Sequence, residues 1–219
     1  MKVETEFDVL KSVIVHEPDI GIGYITPAVA EQLLYDDIVF LPRMIEEHFV
    51  FTQALRTVMG EQNVYELQDL LSDILEIPAA KKELFQHLKS IDDLSDETID
   101  ILSQINSKDL SETLVSGLDN DFQAHLKPLP NLVFTRDLAC VIHDHILLSK
   151  MNKDARKRES FLFQSILHYH PFFESFHGKI IDLLENEDPE NKISIEGGDV
   201  MLVHPDYLLI GISERTTWE

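Results

Sequence analysis

A single cysteine, Cys140, in 219 residues excludes an internal disulfide framework and the small stapled folds built on one. No run of about 18 apolar residues occurs, so a membrane-spanning helix is excluded. The start, Met1-Lys2-Val3-Glu4-Thr5-Glu6, lacks the basic residues and apolar stretch of a secretory signal. A reducing cytoplasm is therefore the expected compartment. Basic residues are scarce: 18 Lys and Arg stand against 40 Asp and Glu, a net charge of −22. Such a chain repels the phosphates of nucleic acid. The same imbalance is compatible with steering a cationic substrate, although a well-solvated acidic surface accounts for it equally. The ten histidines show no metal-ligand spacing with a cysteine or acid cluster, so no metal is expected.

What remains is an ordinary globular composition, 44% hydrophobic and 26% charged, long enough to bury a core. Three regions separate by period. Residues 1–67 predict a strand over 9–15, a helix opened by Pro42 and ended by Gly60, and a second strand over 63–67. An apolar stripe of Met44, Ile45, Phe49, Leu55 and Val58 runs along that helix. Residues 68–125 are acidic and almost free of glycine. Apolar residues there recur at helical spacing between breaks at Pro78, 90–93 and Ser107, with Ser95 as an N-cap. This is expected to be a small helical bundle inserted into a β/α chain. Residues 126–219 return to strands over 132–137, 140–142, 146–149 and 179–184, a loop over 188–191, and a hairpin of 200–203 with 207–212. One helix over 156–169 interrupts them, stopped by Pro171. The two hairpins of this last region resemble each other, which points to a repeated hairpin-plus-helix unit around an axis.

Charged residues mark the strand ends at matched intervals. Asp137 and Arg156 are 19 residues apart, as are Glu196 and Arg215. Acid and base at equal offsets point to one supersecondary unit used twice, its charges converging on a common centre. Paired carboxylates suit a planar cation such as guanidinium, and an Arg fork suits a carboxylate, so the pattern fits a small zwitterion. Plainer roles fit the same residues. Asp137 could cap a turn or pair with Arg136, and Arg156 stands in a basic cluster that could be a solvated helix start. Gly197 and Gly198, between Glu196 and Asp199, permit either a bulge or the close approach of a ligand. Cys140 lies mid-strand between Ala139 and Val141, where a buried structural thiol is expected rather than a nucleophile.

In this order and spacing, two segments resemble signatures of the arginine deiminases: Pro130-Asn131-Leu132-Val133-Phe134-Thr135-Arg136-Asp137 and Ile195-Glu196-Gly197-Gly198-Asp199. Leu10-Lys11-Ser12-Val13-Ile14-Val15-His16, Leu33-Leu34-Tyr35-Asp36-Asp37, Glu46-Glu47-His48 and Gly211-Ile212-Ser213-Glu214-Arg215-Thr216 extend the resemblance over nearly the whole chain. It implies a five-bladed α/β propeller of ββαβ units with an inserted helical bundle. It also implies hydrolysis of L-arginine to L-citrulline and ammonia without a cofactor. By resemblance, Asp137 holds the substrate guanidinium with Asn131 and Phe134 beside it. Glu196 orients a catalytic histidine, Asp199 supports that acid, and Arg156 and Arg215 bind the α-carboxylate.

Where family members often carry Pro, this chain has Leu138, and His143-Asp144-His145 replaces a glycine-rich link. The family's nucleophilic cysteine, catalytic histidine and second aspartate have no counterpart, and Cys140 does not match the nucleophile's position. The chain is therefore expected to be the N-terminal part of such an enzyme, inactive alone. The open edge left where later blades would pack predicts association, including a homo-oligomer. A non-catalytic binding homologue and another guanidino-modifying enzyme, such as an amidinotransferase, are the alternatives.

Overall fold

The computed structural model describes residues 2–184 and 193–217, so the expected loop at 188–191 lies outside the described residues. The architecture is mixed α/β with three small sheets. Its contacts divide the chain into two compact units, residues 10–133 and residues 1–9 with 134–219.

In the unit of residues 10–133, β1 (Val13–Val15) pairs in parallel with β2 (Val64–Glu66), Val13 opposite Val64. Between them lie a short α1 (Ile20–Gly23) and α2 (Leu41–Met59), which has Pro42 in its first turn. Gly60 ends α2 at φ 88°, a conformation open to glycine. Chain direction switches without a loop after β2. Glu66 caps α3 (Leu67–Leu75) by accepting from Gln68 N. Then follow α4 (Pro78–Ile91), α5 (Asp96–Ser103), capped by Ser95, and α6 (Ser107–Ser116), capped by Asn106. These are the helices that the spacing over 68–125 predicts. Their apolar faces are buried: Leu67, Leu71 and Ile74 on α3, Leu84 and Leu88 on α4, Leu102 on α5, Leu110 and Leu114 on α6. α3 packs on both α6 and α4. Gly117 closes α6 at φ 82°, where a Cβ would stand 2.4 Å from Leu126 O.

Two expectations for this unit are corrected. The first strand is three residues long, not seven. The stripe on α2 does not form a core: Ile45, Phe49 and Val58 are exposed, and Thr52 is the buried residue of the helix. Only Leu41 and Met44, at its start, reach the cluster of Ile22, Ile25 and Leu33. A two-stranded sheet of three-residue strands offers too little surface to cover a helix of 19 residues.

In the other unit, β3 (Ala139–Ile142) and β4 (His145–Leu148) form an antiparallel hairpin. His143 turns it in the left-handed region, at φ 53°. α7 (Lys157–Tyr169) follows, and β5 (Ile180–Ile181) returns in parallel beside β4, giving the order ββαβ. α7 buries Leu162, Phe163, Ile166 and Leu167, and ends before Pro171 as expected. A second hairpin, β6 (Val200–His204) with β7 (Tyr207–Ile210), carries a bulge between Leu202 and His204. The expected strand over 179–184 shrinks to the two residues of β5. A strand over 132–137 does not form: 3₁₀ turns at Pro130–Val133 and Thr135–Asp137 replace it. There Asp137 N donates to Phe134 O and Leu138 N to Thr135 O, so the backbone is satisfied within the segment and needs no ladder. Among the described residues no helix is long and apolar enough to cross a membrane.

His16 ties the first unit together at the end of β1. Its buried ring places Nδ1 2.8 Å from Glu66 Oε1, the cap of α3, and Nε2 3.5 Å from Asp19 Oδ2, the cap of α1. Burial opposes the imidazolium charge, but Asp19 and Glu66 outweigh it and lift the pKa to about 9. The Glu66 carboxylate also accepts from Glu17 N, at 3.1 Å. A folded pKa above the unfolded value near 6.5 means stability fully present below pH 6.5 and lost as pH rises through 9. The contribution is on the order of 3 kcal/mol. Thermal melting between pH 6 and 10 checks it: the wild type loses stability across this window, and His16→Asn melts lower at pH 6 with a flatter profile. Parallel profiles would remove His16 from the account.

Candidate functional site

The Glu196-Gly197-Gly198-Asp199 segment turns tightly, with a 3₁₀ turn at Gly197–Asp199. A Cβ at Gly197 would lie 2.3 Å from Arg136 O, and one at Gly198 would lie 2.4 Å from Asp137 Oδ1. Gly197 is therefore required, because its neighbour is backbone, whereas a side chain at Gly198 would push the Asp137 carboxylate aside. Arg136 fastens the same two segments, donating from Nε to Gly197 O at 2.9 Å and from Nη2 to Val200 O and Glu6. Arg136 is thus not the partner of Asp137. Ser149 Oγ accepts from Gly197 N at 2.9 Å, which secures the turn against the end of β4.

Asp137 instead meets Arg156, whose guanidinium is 1% exposed. Nη1 donates to Asp137 Oδ2 at 2.7 Å and to Glu196 Oε2 at 3.3 Å. Nε and Nη2 both donate to Glu159 Oε2, at 2.9 and 2.8 Å. Arg156 closes the 3₁₀ turn Asp154–Arg156 just before α7, and Glu159 occupies the first turn of that helix. Arg215 Nη1 approaches Glu196 Oε2 at 3.3 Å from the loop after β7. That loop is built on Asp199, whose Oδ2 accepts from Thr216 Oγ1 at 2.6 Å and from Ser213 Oγ at 2.9 Å. Thr216 Oγ1 also accepts from Glu196 N at 3.1 Å.

Asp137, Arg156, Glu196 and Arg215 are therefore joined in one network, and Asp199 supports it through Thr216. Each acid bonds the Arg 19 residues further on. Phe134 stands half exposed just before the turn that bears Asp137. Asn131 belongs to the other unit, where its side-chain amide donates to Leu33 O at 2.7 Å. Glu159 is a member that the sequence reading missed. Its only signal was the spacing Arg156-x-x-Glu159 at a helix start, which places both side chains on one face.

Among the described residues three carboxylates surround two guanidiniums, so this group carries one net negative charge when all three acids are ionised. Burial raises the Glu159 carboxyl to about 7, with Arg156 opposing and with Asp137 and Glu196 adding to the rise. Burial also raises Glu196, against the pull of Arg156 and Arg215. The cluster opens at two points: the side chains of Asp137 and Arg215 are 24% and 33% exposed, while Glu159 and Glu196 are enclosed. This arrangement can take up a further cation at Asp137 and a carboxylate at Arg215. Cys140 is packed with Leu147 and Val200, and burial pushes its thiol up to about 11, so it remains protonated and unreactive at neutral pH. Among the described residues no group of three His, Cys, Asp or Glu side chains is arranged to hold a metal ion.

A family model described as arginine deiminase matches residues 31–98 and 88–219, and the second match contains every member of this network. A curated relative, the arginine deiminase of Listeria innocua, is 32% identical over 238 aligned residues. The alignment covers 99% of this chain and 56% of the relative, so the chain spans little more than half that protein's length.

Removing Arg156 would leave the enclosed Glu159 without a cation and take one partner each from Glu196 and Asp137. Arg156→Met is expected to destabilise the chain by about 3–5 kcal/mol at pH 8, as for a broken buried pair. Because Glu159 is protonated more readily folded than unfolded, its contribution to stability falls as pH rises from about 4.5 to 7. The variant should accordingly lose less at pH 5 than at pH 8. Urea unfolding at the two pH values checks this, and an equal loss at both would contradict the charge network.

Proposed function

The chain belongs to the arginine deiminase family, and from that premise we propose that it supplies the substrate-binding groups of an enzyme hydrolysing L-arginine to L-citrulline and ammonia. One observation carries this reading: among the described residues, a charged cluster opens to solvent at a carboxylate, Asp137, and at a guanidinium, Arg215, and it carries one net negative charge when Glu159 is ionised. Its charge pattern is the complement of a zwitterion bearing a guanidinium and a carboxylate. Asp137 takes the substrate guanidinium in a charge-assisted pair, with Phe134 beside it, while Asn131 lies in the other unit. Arg215 and Arg156 face the α-carboxylate, and Arg156 must yield its Nη1 contact with Asp137 to do so. Glu196 orients the histidine that moves protons, and Asp199 holds the Glu196 loop in place through Thr216.

Hydrolysis of a guanidine needs a nucleophile at its central carbon. In the family's chemistry a thiolate attacks, ammonia leaves, and water releases citrulline from the covalent amidino intermediate. Cys140 is unsuited, being buried and protonated. We assign the nucleophile to the part of the enzyme that corresponds to the rest of the Listeria relative, and this chain alone should form no citrulline. The ββαβ order of β3, β4, α7 and β5 agrees with a unit of a five-bladed α/β propeller, and helices α3–α6 with its insert.

Steady-state kinetics of the full-length enzyme test the two ends of the site separately. Asp137→Asn keeps the shape and removes the charge, and should weaken arginine and agmatine alike by about 10- to 150-fold in binding. The loss in kcat/KM should be larger, because a misplaced guanidinium also misplaces the carbon under attack. Arg215→Lys cannot reproduce the bidentate fork. It should penalise arginine much more than agmatine, which has no carboxylate. Equal penalties on the two substrates would make Arg215 structural.

A further inference from the structure

We propose that Glu159 is a positioning residue of this site: it holds the Nε–Nη2 edge of Arg156, so that Asp137 can be shared with a ligand guanidinium. The inference rests on the reading of Asp137 as the guanidinium site. Glu159 cannot touch a ligand itself, because its side chain is fully enclosed and faces Arg156. Its aim is set by the backbone, since it sits in the first turn of α7, three residues after Arg156. Its Oε2 accepts from both Nε and Nη2, which fixes the plane of the guanidinium and turns the Nη1 corner toward Asp137 and Glu196.

The charge on Glu159 matters more than its shape. Its other oxygen, Oε1, is buried without a hydrogen-bond partner among the described residues. Half of its acceptor capacity therefore goes unused, and a glutamine of the same volume could fill the space. What the carboxylate adds is attraction for Arg156 in competition with Asp137 and Glu196. One guanidinium among three acids is held loosely by each. Neutralise Glu159, and the remaining two hold it more tightly. A substrate guanidinium arriving at Asp137 must then displace a stronger partner.

The experiment is steady-state kinetics of the full-length enzyme carrying Glu159→Gln or Glu159→Asp, with L-arginine and agmatine. At pH 8, where Glu159 is ionised, Glu159→Gln should raise KM for both substrates by about 10-fold or more, for L-arginine at least as much as for agmatine, while kcat changes less than about 3-fold. Glu159→Asp, which keeps the charge one methylene back, should stay within about 3-fold of wild-type KM. A general loosening of the fold would lower the active fraction and thus kcat, without raising KM for both substrates together. A folded Glu159→Gln enzyme with wild-type KM overturns the inference, as does a Glu159→Asp enzyme as impaired as Glu159→Gln. If Glu159→Gln does not fold, Glu159→Asp decides alone: near-wild-type KM supports the inference, and a rise of about 10-fold overturns it. Wild-type enzyme that fails to hydrolyse arginine overturns the functional reading and this inference together. Active wild type with an unaffected Glu159→Gln variant overturns only the inference.

Discussion

Arg156 is one buried guanidinium shared among three carboxylates, and the unit of residues 1–9 and 134–219 is organised around it. It bonds Asp137 on a 3₁₀ turn, Glu159 on α7 and Glu196 beside the glycine turn, while Arg215 joins through Glu196. These groups come from four separate stretches of chain. Taking so many charges out of water is costly, and mutual pairing offsets it, although Oε1 of Glu159 and of Glu196 finds no hydrogen-bond partner among the described residues. The glycine turn fits the same arrangement: without a side chain at Gly197 or Gly198, the Glu196 segment packs directly against the Arg136 backbone and the Asp137 carboxylate.

That constraint also shapes the proposed chemistry. A site with equal numbers of acids and bases would be closed on itself, with nothing to offer a charged ligand. Among the described residues three acids stand against two bases, an excess of one when Glu159 is ionised, and that excess is reachable where Asp137 meets solvent. On the proposed reading, a guanidinium bound there would offset the excess, and the carboxylate of the same ligand would meet Arg215, the more exposed of the two arginines. Binding would then be an exchange of partners within an existing ion-pair network.

Much of this was visible in the residues, for identifiable reasons. The 19-residue intervals singled out Asp137, Arg156, Glu196 and Arg215, and in the structure each acid bonds the Arg at that interval. Caps and breakers set local limits reliably: Pro42 opens α2, Ser95 caps α5, and Pro171 stops α7. What failed was tertiary. Residues 132–137 have strand-like composition, yet they satisfy their backbone within 3₁₀ turns. The α2 stripe has the right period, but periodicity does not say what lies opposite, and here Ile45, Phe49 and Val58 face outward. Glu159 was hidden because an acid in the first turn of a helix ordinarily serves the helix itself. Only coordinates reveal that its partner is Arg156.

Glu159, Asp137 and Glu196 share one buried guanidinium, that of Arg156. Carbon-13 NMR of the glutamate carboxyls in this 219-residue chain, followed against pH, tests it most directly. The account predicts that Glu159 titrates near 7, far above an ordinary glutamate, and that its midpoint climbs further in Arg156→Met, where the opposing charge is gone. A Glu159 resonance titrating near 4.5 and indifferent to Arg156 would contradict the account.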